Sequence, residues 1–421
     1  MADIDFETLN YFRSDSEIHQ DPYPYYEWLR ARGPVWRHPR GVVFITGYEE
    51  AIAVYHDQAT WSNCNTVSGP FFKFSVPLEG DDLTEIIEEH RDELPFSDQL
   101  PSFDPPTHTA HRGLLMRLIT PKRLKENELF MWAWADQTID EFIGDGECEL
   151  IQQYAVPFTV MVVADLLGVP AQDRDAFLAN LVHTVRAARL EHKPLEYLYE
   201  QFTRYIEDRR ANPRDDIMTE MAHATFPDGT LPPVEDVMRI AANLFSAGGE
   251  TTARLITSSL KIMGDRPDLQ QRLRDDRRLV SPFIEEVLRL ETPLKGSFKL
   301  SRHPTNVGGV DMPAGTTVFV MNDAASRDPR QFENPMEFRL DRVNGRQHLG
   351  FGHGIHSCAG APLARAETHA TITRFLDRMS EIRISQTYHG PIDARRYSYD
   401  STHMMRGVTE LHLEFTPVDA G

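Results

Sequence analysis

The sequence predicts a mainly α-helical chain with a smaller β-rich region. An apolar period of 3.6 residues dominates from about residue 105 to 292 and returns from about 361 to 380. Short apolar runs bounded by glycine and proline occur at about 30–60 and 293–325, as expected for the strands of small sheets. We find no repeat or linker in the sequence, so its 421 residues are predicted to form one domain, residues 1–421.

The elements follow in order along the chain. Residues 41–47 predict a strand between turns, and residues 63–101 predict a long loop whose acidic run forms a solvated face. Prolines at 170, 213 and 232–233 separate the central helices. A strand is expected at 316–321, and a helix at 361–379 is followed by a strand-like tail.

Composition and charge exclude several classes of protein. The formal charge of −20 argues against a nucleic-acid partner, which requires a basic face. Residues 1–7 are acidic and lack the apolar part of a signal peptide, and no run has the roughly 20 apolar residues of a membrane span. The three cysteines include no CxxC pair and fit a reducing compartment. A cytoplasmic protein without a membrane span is therefore expected.

The segment Phe351-Gly-His-Gly-Ile-His-Ser-Cys358-Ala-Gly360 precedes a predicted helix. Glycines let backbone N–H groups approach a thiolate, and a following helix start lowers the pKa of a thiol. Phe351 can shield one side of the sulfur from water. These features together favour Cys358 as an axial thiolate ligand of haem iron.

Other interpretations of this segment are weaker. A single cysteine is more often an inert core residue than a ligand. His353, His356 and Cys358 lie close in sequence and lack the distant fourth ligand of a structural zinc site. The segment from Gly350 also lacks the last glycine of a dinucleotide-binding loop.

A second pattern lies in the middle of a long helix predicted from residue 234 to about 264. Ala247-Gly-Gly-Glu-Thr-Thr252 contains two glycines, and each costs about 1 kcal/mol relative to alanine in a helix. Glu250 and Thr251 place an acid and a hydroxyl beside the glycines, a combination that suits proton delivery. Close packing of another helix on these small residues is an equally good explanation when the pattern is considered alone.

Both patterns resemble those of the cytochrome P-450 superfamily. Phe351, Gly354, Cys358 and Gly360 match every fixed position of its haem-binding loop. The motif Ala247-Gly248-x-Glu250-Thr251 is similar to the motif in the middle of the family's distal helix. The resemblance spans roughly residues 15–415 and implies the mostly helical P-450 fold, a haem b cofactor with its iron on Cys358, and Glu250 and Thr251 as catalytic residues.

The resemblance also assigns supporting residues. Glu286 and Arg289 match the family's Glu-x-x-Arg helix, and Arg342 is expected to complete a structural trio. For the haem, contacts are expected from residues in four places: His108, Arg112, Lys299 and His356. Lys299 stands where the family usually has arginine, and it can pair with a carboxylate only as a point charge. Without the resemblance, His108 and His111 would be an ordinary i,i+3 helix pair.

The implied activity is insertion of one oxygen atom from O2 into a lipophilic small molecule resembling a terpenoid, steroid or fatty acid. No flavin or nicotinamide motif follows the haem loop, so electrons are expected from a separate ferredoxin and ferredoxin reductase. Residues expected to contact the substrate are Leu244, Ala247, Gly248, Leu294, Phe298 and Met404. Basic residues expected to receive the ferredoxin on the thiolate side are Arg117, Lys122, Arg123, Arg346 and Arg365.

Three alternatives stay open at the level of sequence. A peroxide-driven haem enzyme would not need the acid and alcohol at Glu250 and Thr251. A haem-thiolate isomerase or dehydratase would be distinguished by the absence of oxygen consumption. A non-enzymatic haem sensor would show no turnover with any reductase.

Overall fold

The computed structural model describes residues 5–7, 9–14, 16–187 and 193–418. The chain forms two compact units, each built from several segments. The first unit comprises Met1–Thr109, Glu285–Cys358 and Tyr399–Arg406. The second comprises Ala110–Ile284, Ala359–Ser398 and Gly407–Gly421.

The first unit contains most of the β structure. Its helices are α1 (Tyr23–Arg30), α2 (Tyr48–His56), α3 (Thr84–His90) and α13 (Asn322–Ala325). Its strands are β1 (Val35–Arg37), β2 (Val43–Ile45), β3 (Trp61–Ser62), β5 (Gly296–Ser301), β6 (Thr305–Val307), β7 (Val310–Met312) and β8 (Thr317–Met321). Five of the strands form one sheet in the order β1-β2-β8-β5-β3, in which only β2 and β8 are parallel.

Aromatic residues fill the core on one face of this sheet. Phe319 on β8 is directly opposite Phe44 on β2 and Phe298 on β5, and all three side chains are fully buried. The rings of Tyr11 and Tyr25 stack at 5.6 Å between centroids on the same cluster. Full burial of a phenylalanine contributes about 1.5–3 kcal/mol, so this cluster anchors the sheet.

The second unit is mostly helical. Its helices are α5 (Pro121–Asp140), α6 (Val156–Leu166), α7 (Arg174–Ala187), α8 (Lys193–Ala211), α9 (Ile217–Ala222), α10 (Val234–Asp265), α11 (Pro267–Asp275), α14 (Ala361–Arg378) and α15 (Gln386–His389). A three-stranded antiparallel sheet has the order β4 (Glu147–Glu149), β10 (His412–Pro417) and β9 (Met379–Ile384). The helices α4 (Thr107–Leu118) and α12 (Val280–Leu290) each include a boundary between the two units.

The two glycines of α10 face α6. A Cβ atom at Gly248 would lie 3.1 Å from Cγ2 of Val163, and one at Gly249 would lie 3.6 Å from Cγ2 of Val160. Thr159 on α6 also donates a hydrogen bond of 2.8 Å to the carbonyl of Gly249. The helix α6 therefore lies against these two glycines, as expected if the small residues serve helix packing.

The predicted mainly helical fold is confirmed, with differences in detail. The expected loop at 63–101 contains the helix α3, whose acidic side chains Glu85, Glu88 and Glu89 are exposed as predicted. A π-helical turn at Ile151–Ala155 precedes α6 and had no signal in the sequence. Among the described helices, none combines the length and apolar character needed to span a membrane.

Candidate active site

The loop before Cys358 has a backbone that only glycine accommodates easily. Gly352 and Gly354 have φ angles of +64° and +70°. A Cβ atom at Gly354 would lie 2.4 Å from the carbonyl oxygen of Tyr55, so the loop packs directly on the end of α2. The backbone N–H of Cys358 donates a hydrogen bond of 2.8 Å to the carbonyl of Phe351, which closes the loop.

The three cysteines lie in different environments. Cys64 and Cys148 are buried, whereas Cys358 is exposed, and all three are free of disulfides. Burial raises the pKa of Cys64 to about 11 and raises the pKa of Cys148 as well. An accessible sulfur is what an iron ligand requires, so Cys358 fits a haem-thiolate site and the other two cysteines do not.

Two predicted haem contacts lie together in the first unit. The rings of His108 and His356 have centroids 4.0 Å apart. His108 is buried in the first turn of α4, where its N–H donates to the carbonyl of Asp104 at 2.9 Å. Arg112 is half-buried and lies four positions further along α4. Imidazole N–H groups and a guanidinium are suitable donors for the carboxylates of a haem.

Lys299 is buried on β5 with a neutral partner. Its ammonium donates to Oδ1 of Asn63 and lies 5.3 Å from the centre of the Tyr55 ring. Burial lowers the pKa of Lys299 to about 8, against the opposing effect of Asp104. The guanidinium of Arg302 is 2.7 Å from Oδ2 of Asp104 and thus has a different partner from Lys299.

Glu286, Arg289 and Arg342 form a buried cluster in the first unit. Arg289 makes two hydrogen bonds to the Glu286 carboxylate, of 2.8 and 2.7 Å, and Nε of Arg342 lies 3.0 Å from Oε1. Although burial raises the pKa of Glu286, the hydrogen bonds from Arg289 hold it below its usual value. Removing one member of such a cluster leaves a buried charge unpaired and costs about 3–5 kcal/mol.

This cluster is connected to the start of the cysteine loop through Ser326. Arg289 donates to the Ser326 carbonyl at 3.2 Å, and the Ser326 hydroxyl accepts from the N–H of Leu349 at 2.9 Å. The neighbouring Glu285 lies 3.1 Å from Nε2 of His348. Hydrogen bonds therefore link the charged cluster to the start of the loop. The role of the cluster in folding around a haem stays a prediction.

The predicted acid and alcohol lie in the middle of α10. The hydroxyl of Thr251 donates to the carbonyl of Ala247 at 2.7 Å, and both residues retain solvent exposure. The carboxylate of Glu250 pairs with Arg254 at 2.9 Å, and Arg254 is only 12% exposed. Sequence reasoning missed Arg254, although its i,i+4 spacing from Glu250 is a usual signal of a helical ion pair.

Thr252 and Glu367 are buried residues that the sequence analysis missed. Thr252 follows Thr251 directly, and its side chain lowers the pKa of Glu367. This effect is small beside burial, which raises the pKa of Glu367 well above its ordinary value. Glu367 on α14 is fully buried, and this burial favours the protonated, uncharged form of its carboxyl.

The residues predicted to contact substrate differ in their exposure. In the second unit, Leu244 is buried, Ala247 is exposed and Gly248 packs beside Val163 of α6. In the first unit, Leu294 and Met404 are half-buried. Phe298 does not fit its prediction, because its ring is completely buried at 4.6 Å from the Phe319 ring and belongs to the aromatic core.

The chain is similar to known proteins over most of its length. The family model for cytochrome P450 matches residues 167–394. Cytochrome P450 144 of Mycobacterium tuberculosis is 35% identical over 87% of this chain and 85% of its own length. The cytochrome P450 monooxygenase PikC of Streptomyces venezuelae is 31% identical over 86% of this chain and 85% of its own length. The substrate-free structure of Mycobacterium marinum cytochrome P450 CYP150A6 has a TM-score of 0.94 and 49% identity, and the match covers 98% of this chain and 100% of that one.

Proposed function

The chain belongs to the cytochrome P450 family and is a haem-dependent monooxygenase, and we propose that its substrate is a lipophilic small molecule of terpenoid, steroid or fatty-acid type. We further propose that a separate ferredoxin and its reductase supply the electrons. The observation that carries the proposal is the exposed Cys358 in a glycine-shaped loop that includes His356, whose ring centroid lies 4.0 Å from that of His108. The three cysteines form no disulfides, and we therefore also propose a cytoplasmic location.

The residues that would hold the haem follow from this assignment. Cys358 would ligate the iron, while Phe351 and Gly360 would flank the sulfur. For the haem carboxylates, the proposed donors are His108, Arg112, Lys299 and His356. The haem, when bound, supplies activation of O2 at its iron. The trio of Glu286, Arg289 and Arg342 has a supporting role, because it fixes the segment from which the loop starts.

We propose that residues of α10 transfer protons to the reaction site. The Thr251 hydroxyl donates its one hydrogen to the Ala247 carbonyl and keeps two lone pairs that can accept a hydrogen bond. To pass a proton on, it would release the carbonyl, donate its hydrogen to the acceptor and take a replacement proton at a lone pair. The Glu250 carboxylate is paired with Arg254, and a shift of that pair would let Glu250 take a proton from solvent. We assign the catalytic roles to Glu250 and Thr251, and a positioning role to Arg254.

The substrate class can be tested by a spectral screen of the haem-loaded protein. Terpenoids, steroids and fatty acids are titrated, and at least one class is expected to shift the haem absorption and then give an oxygenated product that depends on O2 and reductant. The apolar side chains of Leu244, Leu294 and Met404 are the reason to expect apolar ligands. A spectral shift with polar metabolites alone, or turnover without oxygen consumption, would contradict the proposal.

Electron transfer from the ferredoxin is expected to slow as salt concentration rises, because exposed cations on this acidic chain would attract an acidic partner. Lys122 and Arg346 are the most suitable of the predicted residues, with side chains 86% and 76% exposed. Arg123 is less suitable, since it is 11% exposed and pairs with Glu220 at 2.8 Å. Arg117 donates to the carbonyl of Thr225 at 3.3 Å.

The measurement is the rate of haem reduction at increasing ionic strength, in the wild type and in the charge reversals Lys122→Glu and Arg346→Glu. Arg123→Glu is the matched variant, for which a smaller effect is expected because the Arg123 side chain is only 11% exposed. A rate that does not depend on salt, or that survives both reversals, would show that the partner docks elsewhere.

A further inference from the structure

A fully buried lysine lies in the turn before β5. Lys295 has no exposed surface, and its ammonium is 2.6 Å from the carbonyl of Thr402 and 3.4 Å from Nδ1 of His19. Nε2 of His19 is 2.9 Å from the carbonyl of Arg13, so Nε2 carries the hydrogen and Nδ1 accepts from Lys295. The ammonium of Lys295 thus connects its own turn to two segments that are distant in sequence, those of His19 and Thr402.

The backbone around Lys295 extends this connection. The N–H of Lys295 donates to the carbonyl of Met404 at 2.8 Å, and the N–H of Arg406 donates to the carbonyl of Pro293 at 2.9 Å. Leu294 and Met405 form an isolated antiparallel bridge between them. The turn at 293–295 and the tail loop at 402–406 are therefore held in a fixed register.

Thr402 organises the tail loop from its other side. Its hydroxyl oxygen accepts hydrogen bonds from the N–H groups of Met404 and Met405, at 3.1 and 2.9 Å. Its carbonyl accepts from Lys295. One residue therefore both shapes the tail loop and attaches it to the turn.

Burial of an amine at this position is unfavourable by itself. Both hydrogen-bond acceptors of Lys295 are neutral, and burial lowers the pKa of the amine to about 7. The charges that act on it are Asp323 and Asp400, which favour its protonated form, and Arg406, which opposes it. A methionine would fill the same space without this penalty, which indicates that the hydrogen bonds of Lys295 have a purpose of their own.

We propose that Lys295 is a specificity-determining positioning residue, which fixes Leu294 and the tail loop at Met404 as one rigid wall against the substrate. This inference rests on the proposed function, in which both side chains contact a lipophilic ligand. A wall that is already ordered binds a large ligand without the entropic penalty of ordering it. Loss of the lysine should therefore weaken the binding of large ligands and leave the binding of small ones unchanged.

The experiment compares two azoles that ligate haem iron through the same imidazole nitrogen. Clotrimazole is large enough to reach the walls of a substrate site, whereas imidazole contacts little besides the iron. For Lys295→Met, we expect the Kd of clotrimazole to rise by about tenfold or more. The Kd of imidazole should change by less than about twofold. Both constants are read from the shift of the haem absorption band.

Two further variants complete the design. Thr402→Val keeps the side-chain volume and the carbonyl that Lys295 contacts, but it removes the hydroxyl that accepts from Met404 and Met405. It should also raise the Kd of clotrimazole, because it loosens the tail loop that Lys295 holds. This variant keeps the inference testable if Lys295→Met does not fold. Lys261→Met, a change at another buried lysine that lies 5.2 Å from the Tyr397 ring, should alter neither constant. Unchanged clotrimazole binding in folded Lys295→Met would overturn the role of the lysine. Unchanged binding in Thr402→Val would overturn the inference that the ordered tail loop is part of the wall. Failure of imidazole to shift the wild-type spectrum would instead overturn the haem site on which the inference rests.

Discussion

Replacing Cys358 with serine is expected to abolish the absorption band that thiolate-ligated haem shows when it is reduced and exposed to carbon monoxide. Serine keeps the size of the side chain but does not ionise, so iron would lose its anionic sulfur ligand. The glycine-shaped loop and the Phe351 carbonyl contact do not involve the sulfur and should persist. Oxygenation of substrate should fall to background, because the proposed thiolate ligand would no longer supply electron density to the haem iron.

The matched controls are Cys64→Ser and Cys148→Ser. Both thiols are buried, and burial raises the pKa of each, so neither offers a thiolate at neutral pH. Each variant should keep the carbon monoxide band, with some loss of thermal stability from a buried hydroxyl. Retention of the band in Cys358→Ser, or its loss in either control, would show that the ligand has been assigned to the wrong residue.

Replacing Thr251 with alanine should separate reductant consumption from product formation. The variant loses one hydroxyl and its hydrogen bond to Ala247, while the packing of α10 on α6 through Gly249 remains. Haem binding and the spectral response to substrate should therefore survive. Because positioned proton transfer contributes about 10²–10⁴-fold to a rate, product per reductant should fall at least about tenfold, and hydrogen peroxide should replace it.

Two matched variants test the register of this helix. Thr251→Ser keeps the hydroxyl and should keep most of the coupling of reductant to product. Thr252→Val removes the neighbouring hydroxyl at constant volume, and it should affect stability through the buried Glu367 more than coupling. If Thr252→Val uncoupled the reaction and Thr251→Ala did not, the catalytic threonine would be Thr252. If both variants kept full coupling of reductant consumption to product formation, the Glu250-Thr251 pattern would serve helix packing and not catalysis.

Sequence reasoning succeeded where local pattern determines the result. The 3.6-residue period predicted α10 and α14 with ends close to those observed, because an amphipathic helix shows its buried face in its own sequence. The positive φ angles at Gly352 and Gly354 agree with glycines chosen for a close backbone approach. The ion pair of Glu286 and Arg289 was predictable because both residues lie on one helical turn.

The features that were missed depend on tertiary contacts. The side chain of Phe298 alternates with its neighbours on β5, but the sequence does not state which face of the sheet receives the aromatic core. The glycines of α10 look the same in sequence whether a ligand or the helix α6 lies against them. The burial of Glu367 results from the environment of α14, which no local pattern contains.

The buried carboxyl of Glu367 changes the number of protons that the chain binds when it folds. The formal charge of −20 includes an ionised Glu367, yet burial in the folded chain raises the pKa of this carboxyl well above its ordinary value. An unfolded chain would release the proton above a pH of about 4.5, the ordinary pKa of glutamate. Between that value and the raised pKa, folding takes up a proton from the solvent. In this pH range, rising pH therefore lowers the free energy of unfolding through Glu367. This effect does not require haem.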